Sequence, residues 1–184
     1  MTNLVGWLAP SMARNIEIKA RFENIDTLVS KVAALADEGP IEILQDDTFF
    51  HCRSGRLKLR ALANGEGQLI FYQRPDQAGP KESFYTISPT STPDSLRETL
   101  SFAYGEAGRV RKRRTLFMIG KTRVHLDRVE GLGHFLELEV VLSDDETVES
   151  GILVARKLMA EFGIEPAQLI EGAYIDLLAD QVQP

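Results

Sequence analysis

The chain has 184 residues, 43% hydrophobic and 26% charged, which is the composition of a protein able to bury one full core. Its net charge of −6 argues against a general nucleic-acid surface. Its single cysteine, Cys52, excludes an intramolecular disulfide and, without a Cys or multi-His cluster beside it, argues against structural zinc. The opening run to Met12 is broken by Pro10 and lacks a basic start, so it reads neither as a spanning helix nor as a signal peptide. These features predict a cytoplasmic protein with a tail over 1–12, a single domain over 13–184, and neither a membrane nor a nucleic-acid partner. Met12, directly before the first patterned strand, is a candidate natural start.

From Arg14 to Phe22 apolar Ile16, Ile18, Ala20 and Phe22 alternate with Asn15, Glu17, Lys19 and Arg21, the period of a strand with one greasy and one polar face. Ile25, Leu28, Val29, Val32 and Leu35 then recur at helical spacing, with Asn24 or Asp26 as cap and Gly39-Pro40 as terminator. A strand is predicted over Ile41–Cys52. After an RSGR turn comes RLKLRAL, where Arg56, Lys58 and Arg60 project from one side. Past the Asn64–Gly67 turn, QLIFYQRP and KESFYTIS read as two more strands, and Thr92-Pro93-Asp94 opens a helix running to about Gly105. RVRKRRTLFMI follows as a heavily basic strand. Val124–Val140 then alternates apolar residues with His125, Asp127, Glu137 and Glu139 around Gly131 and Gly133, which predicts an acidic-faced antiparallel hairpin. Ser143 or Asp145 is the expected cap of a third helix, presenting Val148, Ile152, Ala155, Leu158, Met159 and Phe162 on one side and closed by Gly163. Pro166–Leu178 is short helical or irregular.

The element order predicts an α+β fold with a largely antiparallel sheet, and about eight strands with one polar face each are able to curl into a barrel whose lumen is charged. Gathered on those faces are the cations Lys19, Arg21, Arg56, Lys58, Arg60, Arg74, Lys81, Lys112, Arg114 and Arg123, and the acids Glu17, Asp127, Glu137 and Glu139. Converging, they suit a polyanion: Arg binds phosphate oxygens bidentately, Lys acts as a point charge, and the carboxylates suit Mg2+ or Mn2+. A triphosphate with its metal fits that combination.

NIEIK at the start, LKLR in the third strand, VRKRR before the hairpin, and above all D-x-V-x-G-L-G-x-F-x-E-x-E at Asp127–Glu139 resemble the CYTH superfamily of triphosphate tunnel metalloenzymes, which includes class IV adenylate cyclases and thiamine triphosphatases. The likeness covers roughly Ala13 to Leu178. It implies an eight-stranded antiparallel tunnel with helices packed outside, dependence on Mg2+ or Mn2+, and a small triphosphate substrate, with homodimerisation left open. The family's opening E-x-E-x-K is here Asn15-Ile16-Glu17-Ile18-Lys19, so an amide replaces the first carboxylate.

Carried over residue by residue, the resemblance assigns metal to Glu17, Glu137 and Glu139, with Asp127 as a further or outer-shell ligand. It assigns the triphosphate to Lys19, Lys58, Arg60, Arg74, Lys112, Arg114 and Arg123, and catalysis to Lys19, Glu17, Glu137 and Glu139. His125 is read as a packing or hydrogen-bonding residue, with a general base as its alternative. The reading of choice is a metal-dependent phosphohydrolase of inorganic triphosphate, thiamine triphosphate or a nucleotide. The alternatives are a class IV adenylate cyclase, in which a ribose 3′-hydroxyl attacks the α-phosphorus and expels pyrophosphate, and a non-catalytic polyphosphate- or nucleotide-binding module.

Overall fold

The computed structural model describes residues 12–182; most of the expected N-terminal tail lies outside them. The elements run β1 (Ala13–Phe22), α1 (Asp26–Ala33), β2 (Glu38–Phe50), β3 (Arg56–Leu62), β4 (Gly67–Gln73), β5 (Lys81–Thr90), α2 (Pro93–Tyr104), β6 (Glu106–Ile119), β7 (Thr122–Val129), β8 (Gly133–Leu142), α3 (Val148–Phe162), a 3-10 turn at Pro166–Gln168, and α4 (Tyr174–Val182). The eight strands close into one barrel in the order β1-β5-β4-β3-β2-β6-β7-β8, every neighbouring pair antiparallel. Closure leaves no sheet edge to protect.

The apolar faces of β1, β7 and β8 point outward and are covered by helices. Ile18, Ala20, Val124, Leu126, Leu136 and Leu138 are fully buried beneath Ile25, Leu28 and Val32 from the α1 region and Leu158 and Phe162 of α3. Each of these side chains larger than Ala20 contributes roughly 1.5–3 kcal/mol by leaving water. Close approach of α3 depends on Gly151, where a Cβ would stand 2.6 Å from Ile16 and 2.8 Å from Leu142. On the far wall α2 sets Leu100 against Phe50 and Leu59.

Three local expectations change. Gly39-Pro40 does not terminate the first helix, which ends at Ala33; it lies within β2, where pairing with β6 slips between Glu38 and Ile41. A proline that cannot donate to the ladder is tolerated at such an irregularity. Leu35 consequently lies past the helix and is 43% exposed. The third helix is capped by Thr147, whose hydroxyl accepts from the Ser150 amide at 3.2 Å, in place of Ser143 or Asp145. Among the described residues no helix is long and apolar enough to cross a membrane.

Candidate functional site

Inside the barrel the strand period selects one parity from every strand. A cavity of about 450 Å³ is lined by Asn15, Glu17 and Lys19 of β1, Gln45, Asp47 and Phe49 of β2, Lys58 and Arg60 of β3, Lys112 and Arg114 of β6, Arg123 and His125 of β7, and Glu137 and Glu139 of β8, with Tyr72 and Arg74 from the β4 region. Cross-strand register explains the acidic wall: Glu17 stands opposite Glu139, Lys19 opposite Glu137, Arg123 opposite Glu139 and His125 opposite Glu137.

One end of the barrel is shut by the C-terminal segment. The Ile170 amide donates to the Lys19 carbonyl at 2.9 Å, and Lys19 Nζ and Arg74 Nη2 both donate to the Gly172 carbonyl, at 3.3 and 3.2 Å. Arg56, at the same end, grips Asp176 at 2.7 Å and Asp76 at 2.8 Å. Tyr174 enters from this segment. Its ring lies 3.9 Å below Lys19 Nζ and meets Phe135 edge to face, and its hydroxyl donates to Asp127 at 3.0 Å. Lys81 donates to the carbonyls of Gln77 and Ile170 and lies outside the cavity lining, while Arg21 stacks on Phe135 and donates to the Leu132 carbonyl. Away from this end the cavity lining is partly apolar, with Ile43, Leu62, Ile87 and Leu116.

The carboxylates fall into two kinds. Asp127, expected among the metal ligands, is fully enclosed and accepts from Lys112 at 2.8 Å, Arg114 at 2.7 Å through both Nε and Nη2, and Tyr174. Asp47, which sequence reasoning missed, accepts from Lys58 at 2.8 Å and bidentately from Arg60 at 2.8 and 2.9 Å. Burial works against both charges, but Arg114 and Lys112 around Asp127, and Arg60 and Lys58 around Asp47, hold these carboxyls far below the usual carboxylate range. Glu17 is bound to Arg74, and Glu137 to Arg114 with Lys19 at 3.2 Å. Glu139 gives one oxygen to Arg123 at 2.7 Å and turns the other, Oε1, toward His125 Nδ1 at 3.8 Å.

Burial opposes the Glu139 charge, while a protonated His125 and Arg123 outweigh it and draw its pKa to about 2. His125 is itself lowered by burial and then by Arg114, so at neutral pH it is uncharged and Arg123 is the standing cation beside Glu139. Burial also lowers Lys19, and takes Lys58 to about 8 despite Asp47. Four buried polar atoms of the described residues find no partner: Asn15 Oδ1, Gln45 Oε1, Arg74 Nε and His125 Nδ1. A cation has suitable donors here, since His125 and single oxygens of Glu137 and Glu139 lie within 4.8 Å of one another.

The CYTH domain model matches residues 13–174, and the chain belongs to that family. It is 24% identical over 167 residues to adenylate cyclase CyaB of Aeromonas hydrophila, covering 86% of this chain and 85% of that one. Among solved structures, the PH1012 protein of Pyrococcus horikoshii superposes with a TM-score of 0.79 at 25% identity, covering 89% of this chain and 98% of that one. HpAC1 from Hippeastrum, described as having a dominant triphosphatase activity, superposes with a TM-score of 0.64 at 15% identity over 92% and 96% of the two chains, a likeness of fold alone.

Proposed function

We propose that the protein is a metal-dependent triphosphatase that hydrolyses a small triphosphate inside the barrel. The observation that carries this reading is the convergence of Lys58, Arg60, Lys112, Arg114 and Arg123 on one cavity closed at one end and lined also by Glu137 and Glu139. Phosphoryl transfer needs positioning and charge stabilisation more than covalent participation by the protein, and a rigid barrel supplies both. Arg60 and Arg114 are pre-aimed by bidentate bonds to Asp47 and Asp127, so their fixed guanidinium planes require little reorganisation when phosphate oxygens arrive. Lys112 is fixed the same way by Asp127. Asp127 is therefore assigned to orienting cations, and Glu17 to holding Arg74 at the closed end. Glu137 and Glu139 would hold Mg2+ or Mn2+, which when bound supplies Lewis-acid polarisation of phosphate oxygens. Water attacks the terminal phosphorus, and charge on the departing diphosphate is met by the same lysines and arginines. Cytoplasmic residence belongs to this proposal, on the exposed unpaired thiol of Cys52.

Cyclisation of ATP is a second reading, favoured by the apolar part of the cavity lining, which gives an organic group a dry wall beyond the phosphates, and by the name of the Aeromonas relative. Incubating the full chain with Mg2+ or Mn2+ and ATP, thiamine triphosphate or inorganic triphosphate separates the readings. Orthophosphate is the expected product. Cyclic AMP with pyrophosphate would replace the hydrolase by the cyclase, and binding without turnover would leave a triphosphate-binding module.

A further inference from the structure

We propose that His125 is a nitrogen ligand of the tunnel metal and substitutes for the carboxylate absent at Asn15, so that the ion sits against β7 and β8 and Mn2+ is bound in preference to Mg2+. This rests on the metal-dependent reading above and names the residue that sets metal choice within it.

Three observations converge. First, Nδ1 of His125 has no hydrogen-bond partner although the side chain is only 4% exposed. A ring nitrogen is rarely left alone in an interior, because its desolvation goes uncompensated. Second, that nitrogen lies 3.7 Å from Glu137 Oε2 and 3.8 Å from Glu139 Oε1, too far for a hydrogen bond. Two ligands each about 2.1 Å from one ion are separated by roughly 3–4 Å, so these gaps have the span of a shared cation. Glu139 presents this oxygen because its other one already accepts from Arg123.

The third observation is the state of the β1 wall. Where the resemblance implies a carboxylate this chain carries the neutral amide of Asn15, which is buried with its Oδ1 unpartnered. The neighbouring Glu17 is occupied by Arg74. The β1 wall thus offers a dication one carboxylate, already held by Arg74, whereas β7 and β8 offer one nitrogen and two carboxylates on a single face, Glu139 with Oε1 unused and Glu137 with an oxygen it shares with Arg114, fixed by the register of His125 with Glu137 and Arg123 with Glu139. An imidazole donor raises affinity for a transition ion relative to Mg2+, which favours oxygen ligands and retains its waters. The ion needs the tautomer protonated at Nε2, which leaves the Nδ1 lone pair toward the carboxylates.

Pulsed electron paramagnetic resonance of Mn2+ added to the full chain with inorganic triphosphate tests this without turnover as the readout. Nitrogen modulation from one imidazole is expected in the native protein and should vanish in His125→Ala. By calorimetry Mn2+ affinity should fall at least tenfold in that variant while Mg2+ affinity changes less than twofold. Absence of nitrogen modulation in the native protein, or equal losses for the two metals, would overturn the assignment. Should His125→Ala fold poorly, as judged by its circular dichroism, His125→Gln and the double change Asn15→Glu with His125→Gln keep the test open. The double variant should regain Mn2+ affinity to within about threefold of native through an all-oxygen site without nitrogen modulation, and no regain over His125→Gln would overturn the substitution for Asn15. Nitrogen modulation without any triphosphate turnover would uphold this assignment while removing the hydrolase reading.

Discussion

Asp47 on β2 and Glu139 on β8 face the same tunnel, yet their surroundings differ in a way that separates support from chemistry. Both oxygens of Asp47 are consumed by Lys58 and Arg60, and the side chain is 3% exposed. Glu139 spends one oxygen on Arg123 and keeps the other facing an unpartnered histidine nitrogen. A carboxylate whose acceptors are all filled within the fold fixes the geometry of its cations; one with an unused oxygen in a cavity has capacity left for a ligand. Asp127 belongs with Asp47, and Glu137, shared between Arg114 and the space before His125, stands between the two kinds.

The largest break in this contrast is expected at Asp127. Asn there would leave Lys112 and Arg114 as buried cations short of a partner, and removing one member of such a pair costs about 3–5 kcal/mol. Urea denaturation should show the loss as a lower midpoint with an unchanged slope. A change below about 1 kcal/mol would show that the fold does not depend on Asp127 holding its cations.

Asp47→Asn should cost less, about 2 kcal/mol, since Lys58 and Arg60 retain 15% and 13% exposure. The same change releases two cations toward the cavity and removes a negative charge, so inorganic triphosphate should bind more tightly even as the protein weakens. Opposite signs in denaturation and calorimetry are the expected result; weaker binding would mean that orientation of Arg60 matters more than charge. Both aspartates have depressed pKa values in the fold, so their stabilisation is present above the unfolded carboxylate range, near pH 4, and is lost as pH falls below it toward their folded values.

Glu139→Gln sharpens the other side. Its partner Arg123 is 30% exposed, so the stability loss should be only about 0.5–1 kcal/mol, whereas Mn2+ binding and turnover should disappear. A stable variant that retained both would remove Glu139 from the metal site.

How much of this was legible follows from where each signal lies along the chain. The hairpin of β7 and β8 announced itself because apolar and charged residues alternate without interruption, and the family motif falls on it. The closed antiparallel barrel followed from repeated two-faced strands. Asp47 was missed because ILQDDTFF carries two adjacent aspartates and no clean alternation: only the closed barrel shows that Asp46 turns outward to Arg109 at 2.6 Å while Asp47 turns inward. Its one available signal was phase, since Asp47 shares parity with Phe49 across from the basic β3 strand. Tyr174 had no local signal, because its role arises when the chain's last segment folds back over a barrel mouth whose residues, Lys19, Asp127 and Phe135, come from β1, β7 and β8. For His125, residue type and parity were visible; its unpartnered nitrogen is a property of the packed interior.

The smallest expected effect concerns Lys58, which stands on the satisfied side of the comparison yet lines the cavity. Burial lowers its pKa to about 8, with Asp47 offsetting part of the shift. In the unfolded chain the value returns to about 10.4, so between pH 8 and 10.4 the unfolded state holds more protons and this lysine's penalty on stability diminishes as pH rises. Anion binding runs the other way. Below pH 8 the ammonium is present before and after a polyanion arrives; above pH 8 a proton must be taken up for the charged contact to form. The contribution of Lys58 to triphosphate affinity should therefore fall about tenfold by pH 9. The triphosphate titrates in this range too, so the informative quantity is the ratio between native protein and Lys58→Arg, whose guanidinium stays charged throughout. Calorimetric titrations of inorganic triphosphate at pH 7, 8 and 9 should show that ratio shifting toward the variant as pH rises. A constant ratio would mean that Lys58 serves Asp47 alone and does not touch the phosphates.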